Sequence, residues 1–220
     1  TNGAGAAFSR TATDQTQTEA FKRWFAGSRV VDAEGKPLVV YHGNAGDFSE
    51  FDLNRSGETT GNTGFYGAGA YFSEDAGYAS GFAMWAQRSE DDAPNVMPVY
   101  LALKNPAYIV ITPQSKSADS SMLERSRATT DSVLRYLAKR GTPYGVTSKL
   151  AELAEANKFE PFMGTLYNAF GGGRGVTEIL KGAGFDGVTV YGGIDGKMQL
   201  AEAVAFNPTQ IKSATGNSGQ

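Results

Sequence analysis

The chain has 220 residues, no cysteine, a single histidine and a formal net charge of −3 at pH 7. These counts exclude a Cys/His zinc finger, a two-histidine zinc site, a disulfide framework and a cysteine nucleophile, and any imidazole chemistry must pass through His42. At 40% hydrophobic and 11% aromatic the chain can bury a core, no apolar run reaches the roughly 18 residues of a membrane span, and the charge balance is not that of a duplex-binding protein.

Residues 1–14 are small and polar and read as a flexible segment. Asp14 or Thr18 can cap a helix over 19–25 that carries Phe21, Trp24 and Phe25 on one face, with Trp24 and Phe25 expected in the core, and ends at Gly27. Val30-Val31 is extended, 33–36 is a turn and 38–41 a strand. The stretch 44–69 is rich in Gly, Asn, Ser and Thr; it is expected to lack regular structure, with Phe48, Phe51 and Phe65 anchoring it in the core. Residues 69–72 read as a short strand, followed by a helix from an N-cap at Ser73 to about Gln87.

An acidic loop over 88–95 precedes strands at 96–103 and 107–111, joined across Asn105-Pro106. The block 114–170 is rich in Ala, Leu, Lys, Glu and Arg and is expected to be a mostly helical insertion, with breaks near Gly141-Thr142-Pro143 and near Pro161. A helix over 176–183 ends at Gly184, strands at 185–191 and 200–206 flank a turn at 192–197, and 214–220 is a polar tail. One domain is expected over 15–213. Strands on both sides of a helical block, without strand–helix alternation, favour the α+β class.

Several motifs fail on context. Gly182-Ala-Gly184-Phe-Asp-Gly187 has the spacing of a dinucleotide fingerprint, but a helix precedes it and a strand follows, so it reads as a helix C-cap and turn. There is no phosphate-binding G-x-x-x-x-G-K-[ST] loop, and Gly77-Tyr-Ala-Ser-Gly81 carries its serine one place late for a nucleophile elbow. Asp91-Asp92 reads as a solvated turn rather than a metal site.

Three positions survive. His42 follows an apolar run and precedes Gly43; a histidine at a strand end is usually structural, but the glycine permits close approach of backbone. Tyr71 alternates with Phe72, so one faces inward and the other a cleft. In 201–206, alternation puts Glu202, Val204 and Phe206 on one face and three alanines on the other. A carboxylate on an apolar face costs free energy unless it has partners or work. The alternative is a buried alanine face with Glu202 at an exposed end, and the pattern leaves both open.

The segments VVYHGNAGDFSEFD, GAGAYFSEDAGYASGFA, VYLALKNPAYIV, LKGAGFDGVTV and EAVAFNPTQIKSA occur in that order from about Phe21 to Ala214. Together they resemble the ADP-ribosyltransferase domains of phage and mobile-element polyvalent proteins. These domains belong to the wider His-Tyr-Glu class of diphtheria toxin and the poly(ADP-ribose) polymerases. The resemblance implies two small, mainly antiparallel sheets around an NAD cleft with flanking helices, interrupted here by the helical block.

It also implies roles: His42 on a ribose hydroxyl of NAD, the backbone of Gly43 on the carboxamide, Tyr71 stacked on the nicotinamide ring and Glu202 as the catalytic carboxylate. The second aromatic falls at Phe82, with Tyr78 a nearby rival. Asn44 stands where the family often has Thr. Leu200, two before Glu202, stands where arginine-directed relatives carry Glu, which argues against that class. Arg55, Arg174 and Lys181 are candidates for NAD phosphates, although surface placement is the ordinary expectation.

The function the resemblance implies is mono-ADP-ribosyl transfer from NAD to a protein or nucleic-acid acceptor, with release of nicotinamide and no metal. The expected setting is a phage or bacterial effector or toxin acting in a host or target-cell cytoplasm. With its start at Thr1 the chain is expected to be part of a longer polypeptide. The rival readings are an NAD glycohydrolase using the same cleft, and an inactive partner-binding or phage structural domain.

Overall fold

Thr18 opens the first helix as expected: its hydroxyl accepts the Phe21 N–H at 3.2 Å, and α1 (Glu19–Phe25) follows. The computed structural model describes residues 14–45, 51–53, 64–87, 89, 94–111, 119–194 and 197–215. The expectations for 1–13, Phe48, Arg55, Asp91-Asp92 and 216–220 lie outside the described residues.

Among the described residues seven strands form two sheets. One is three-stranded, in the order β1 (Val40–Asn44), β3 (Asn95–Leu101), β7 (Ile211–Ser213), and is antiparallel throughout. The other is four-stranded, in the order β2 (Ala70–Phe72), β6 (Lys197–Ala205), β5 (Gly187–Ile194), β4 (Ala107–Ile111). Only the β4–β5 pair in it is parallel. A parallel pair needs a crossover, and the helical block supplies it: α3 (Ser120–Arg140), α4 (Tyr144–Glu155), α5 (Phe159–Ala169) and α6 (Gly173–Gly182) lie between the two strands in the chain. The α+β class and the mainly antiparallel sheets are as expected.

Two apolar cores stack in layers. Val40, Val99 and Leu101 of the three-stranded sheet meet Ala70, Phe72, Leu200, Ala203 and Ala205 of the other. On the far face Val188, Val190 and Val204 pack with Leu137, Leu150, Phe162, Leu166 and Ile179 from the helices. At roughly 1.5–3 kcal/mol for each fully buried large side chain, the helical layer is a main support of the four-stranded sheet.

Several boundaries move for identifiable reasons. The first strand was expected over 38–41 but runs from Val40 to Asn44. Residues 30–38 form their own small hairpin, with a Val31–Pro37 bridge and the Asp32 carboxylate accepting from the N–H of Glu34 and Lys36. His42 therefore sits mid-strand, opposite Met97. Ser73 does not cap the next helix, because both of its main-chain groups are paired with Tyr41. The cap of α2 (Ala76–Ala86) is Asp75, whose carboxylate accepts from Gly77 and Tyr78.

The break expected near Pro161 lies between α4 and α5, at Asn157 with φ 55°; Pro161 itself stands in the first turn of α5, where a missing N–H leaves no helical bond unmade. Trp24, Phe25, Phe51 and Phe65 were expected in the core and are half-buried instead. Trp24 keeps its indole N–H on the Thr209 carbonyl with Lys212 over its ring, an arrangement that belongs to a surface rim.

Candidate active site

Residues 71–75 form a strap between the two sheets. Tyr71 and Phe72 pair with Val204 and Ala203 of β6. Ser73 then pairs with Tyr41 of β1, Tyr41 N–H donating to Ser73 at 2.7 Å and Ser73 N–H donating back at 2.9 Å. The Ser73 hydroxyl accepts the Asp75 N–H, and Asp75 starts α2.

His42 is tied to this strap. Its Nδ1 lies 2.7 Å from the Tyr71 carbonyl oxygen. A carbonyl only accepts, so Nδ1 carries the proton and a neutral ring presents Nε2 as its acceptor. The ring forms a three-membered aromatic cluster with Phe51 and Phe72, at centroid distances of 5.1 and 5.5 Å, the two phenyl rings being 5.7 Å apart. Burial pushes the imidazole pKa down, and the bond to Tyr71 opposes this only in part. The partner on Nδ1 is a carbonyl rather than the carboxylate that would stabilise an imidazolium. The residue suits hydrogen bonding better than base catalysis.

Gly43 has a packing requirement of its own. A Cβ there would overlap the carbonyl of Ala79, so only glycine lets α2 lie this close to β1. The close backbone approach expected at Gly43 is therefore made by a helix. Asn44, next along, donates from Nδ2 to Asn95 Oδ1 across the β1–β3 pair at 3.2 Å.

Alternation puts the two rings on opposite faces: Phe72 turns into the inter-sheet core, and Tyr71 is half-buried against the core on the helical side. The Tyr71 hydroxyl donates to Gly67 at 2.8 Å and accepts the Tyr66 N–H at 3.0 Å. Burial and the nearby charge of Glu202 push its pKa far up, so the ring is neutral and held at both ends.

Glu202 owes its direction to a β-bulge. Val190 pairs with Glu202, yet the next residue, Tyr191, pairs with Leu200, leaving Ala201 as the extra residue. Consequently Leu200 shares the inter-sheet core with Ala203 and Ala205, while Glu202 keeps the face of Val204 and hence of Tyr71. Neither open alternative held in pure form: Ala203 and Ala205 are buried, while Ala201 is half-buried and so is Glu202, on the Val204 face. Burial raises its pKa, and a hydrogen bond from the Tyr78 hydroxyl to Oε1, 3.1 Å long, lowers it in part. The Tyr78 hydroxyl is itself pushed up to about 12 by burial and by Glu202.

Tyr78 and Phe82 meet edge to face at 5.0 Å on α2, and both rings are exposed. Because Ala79 abuts Gly43 and the adjacent Tyr78 reaches Glu202, α2 bridges the His42-Gly43 strand and the Glu202 strand. His42, Gly43, Tyr71, Tyr78, Phe82 and Glu202 thus belong to one neighbourhood.

Arg174 and Lys181 lie exposed on α6, Lys181 over the Phe206 ring. Sequence reasoning missed Phe51 as a neighbour of His42, and Tyr66, whose pKa is raised by burial and by Glu202. Both lie in stretches without periodicity, so no pattern pointed to them. Glycines 182, 184 and 187 end α6 and lead into β5, as their context required.

The arrangement offers a neutral hydrogen-bond acceptor, an aromatic face and a carboxylate with a shifted pKa. Among the described residues no group of three or more His, Asp or Glu side chains converges as for a metal, and no helix is long and apolar enough to cross a membrane. The family model described as ADP-ribosyltransferase in polyvalent proteins matches residues 32–220. No curated protein and no solved structure matches the chain significantly.

Proposed function

The chain belongs to the family of ADP-ribosyltransferases in polyvalent proteins, and from that premise we propose that it transfers a single ADP-ribose from NAD to a macromolecular acceptor. In the proposed reaction the bond between nicotinamide and the ribose C1′ breaks and its electron pair leaves with nicotinamide. A lone pair of the acceptor forms the new bond at C1′, and the acceptor's proton passes to solvent. Charge develops on the sugar as an oxocarbenium ion.

Glu202, as a carboxylate beside a ribose hydroxyl, stabilises that charge as it forms. His42 receives a ribose hydroxyl at Nε2, the nitrogen left as acceptor by the bond to Tyr71. Tyr71 presents its ring to nicotinamide, with Tyr78 or Phe82 on the other side. In this reading the backbone of Gly43 meets the carboxamide, and Asn44 follows it on β1. The observation that supports the reading is that His42 and Glu202 both meet Tyr71, His42 by a hydrogen bond at its carbonyl and Glu202 by sharing the sheet face of its ring. An effector role in a host or target-cell cytoplasm is part of the same proposal and rests on resemblance.

A second reading, NAD glycohydrolysis with water as acceptor, draws support from Leu200. The position that directs acceptor choice in some relatives here faces the core and is only 3% exposed, so it offers no group to an acceptor. Incubation with adenine-labelled NAD and a bacterial lysate, beside Glu202→Ala, separates the readings. Transfer predicts label on a protein or nucleic-acid band that the variant lacks. Free ADP-ribose without a labelled band identifies glycohydrolysis, and no nicotinamide release at all leaves an inactive binding domain.

A further inference from the structure

The bulge that aims Glu202 leaves the main chain of Leu200 facing the strap, where the partner strand β2 has already ended at Phe72. Glu74 meets it with two groups. Its N–H donates to the Leu200 carbonyl over a long 3.4 Å, and its side-chain Oε2 accepts the Leu200 N–H at 3.1 Å. The pairing runs Phe72 with Ala203 and then Glu74 with Leu200, so Ser73 alone faces Ala201 and Glu202. The bulge is thus registered from both neighbours, by Val190/Tyr191 on one side and by Phe72/Glu74 on the other.

We propose that Glu74 is a positioning residue of this site: its carboxylate takes the place of a missing ladder carbonyl, pins the bulge at Ala201 and so keeps Glu202 on the cleft face. Leu200 is buried, so without that acceptor its N–H has no solvent to turn to. The cheapest repair is migration of the bulge by one residue toward Ala203, which turns Glu202 to the opposite face of the sheet. Glu74 touches no reacting atom. It also precedes Asp75, the cap of the helix that brings Tyr78 to Glu202, so one short strap orients the carboxylate from below and caps it from above.

The kinetic half of the test rests on the NAD reading; the structural half does not. Glu74→Ala removes the acceptor, Glu74→Asp keeps the charge but shortens the reach, and Glu74→Gln keeps an acceptor oxygen at the same reach. Amide hydrogen exchange of the whole chain should show Leu200 and Glu202 protected in wild type and Glu74→Gln and exposed in Glu74→Ala and Glu74→Asp, with α3–α6 unchanged in all four. Nicotinamide release from NAD should fall on the order of 100-fold in kcat for the Ala and Asp variants, with KM for NAD little changed and recovery in Gln.

Unaltered exchange at Leu200 in folded Glu74→Ala and Glu74→Asp overturns the proposal, as does unaltered kcat in either. If Glu74→Ala does not fold, Glu74→Asp against Glu74→Gln decides by the same readouts. Should wild type release no nicotinamide, the NAD reading fails and the exchange pattern alone decides the role of Glu74.

Discussion

The hydroxyl of Tyr78 donates a hydrogen bond to Glu202 across 3.1 Å, joining the exposed face of α2 to the bulge of β6. The bond stabilises the ionised carboxylate, while burial opposes ionisation and prevails, leaving the pKa of Glu202 above the ordinary carboxylate range.

That balance sets the pH dependence. If the carboxylate form is the working one, nicotinamide release falls as pH drops through the raised pKa, and so at a higher pH than an ordinary glutamate would give. Tyr78→Phe removes the bond that favours the charged form, so the acid limb of kcat/KM shifts further toward neutral pH. The stability contribution has the opposite sign: the folded chain holds a proton on Glu202 that the unfolded chain has released, so this group stabilises the fold more as pH falls through the window. Measured pH–rate profiles of the two proteins, with thermal melts across the same range, check both directions.

Tyr71 separates a structural from a chemical role. Tyr71→Phe keeps the ring but leaves the Tyr66 N–H and the Gly67 carbonyl without their partner, at a cost of about 1–3 kcal/mol in stability. Its affinity for NAD, measured by calorimetry well below its melting temperature, should stay near wild type. Tyr71→Ala should lose NAD binding as well. Equal loss in both variants contradicts the stacking role.

Gly43→Ala tests the approach of α2 to β1. The added methyl meets the Ala79 carbonyl, a rigid backbone group, so α2 must move outward. The expected loss is about 1–3 kcal/mol or more, read by chemical denaturation. A variant as stable as wild type would show that α2 does not lie where the structure places it.

Much of the fold was legible because the longer elements carry unambiguous local chemistry. Thr18 as a cap, the Gly141–Pro143 break, and Gly184 after a helix each follow from one residue type at one position. The alternation of 202–206 was readable, but which of its faces is buried stayed open, and strict alternation has no place for the extra Ala201. Strict alternation would put Leu200, two residues before Glu202, on the same face, whereas the bulge puts it on the opposite one. Ser73 was misread as a cap because its pairing with Tyr41 is long-range and leaves no mark nearby. Glu74 and Phe51 were invisible for the same reason: their partners, Leu200 and His42, are named by topology rather than by spacing.

The central claim is that the Glu202 carboxylate acts on bound NAD. Glu202→Gln retains the size of the side chain and an oxygen for the Tyr78 bond while removing the charge. The decisive measurement is kcat for nicotinamide release from NAD by this variant, beside its calorimetric Kd for NAD. The expected result is a fall in kcat on the order of 100-fold or more with Kd within about threefold of wild type. A variant that binds NAD and releases nicotinamide at the wild-type rate would contradict the claim.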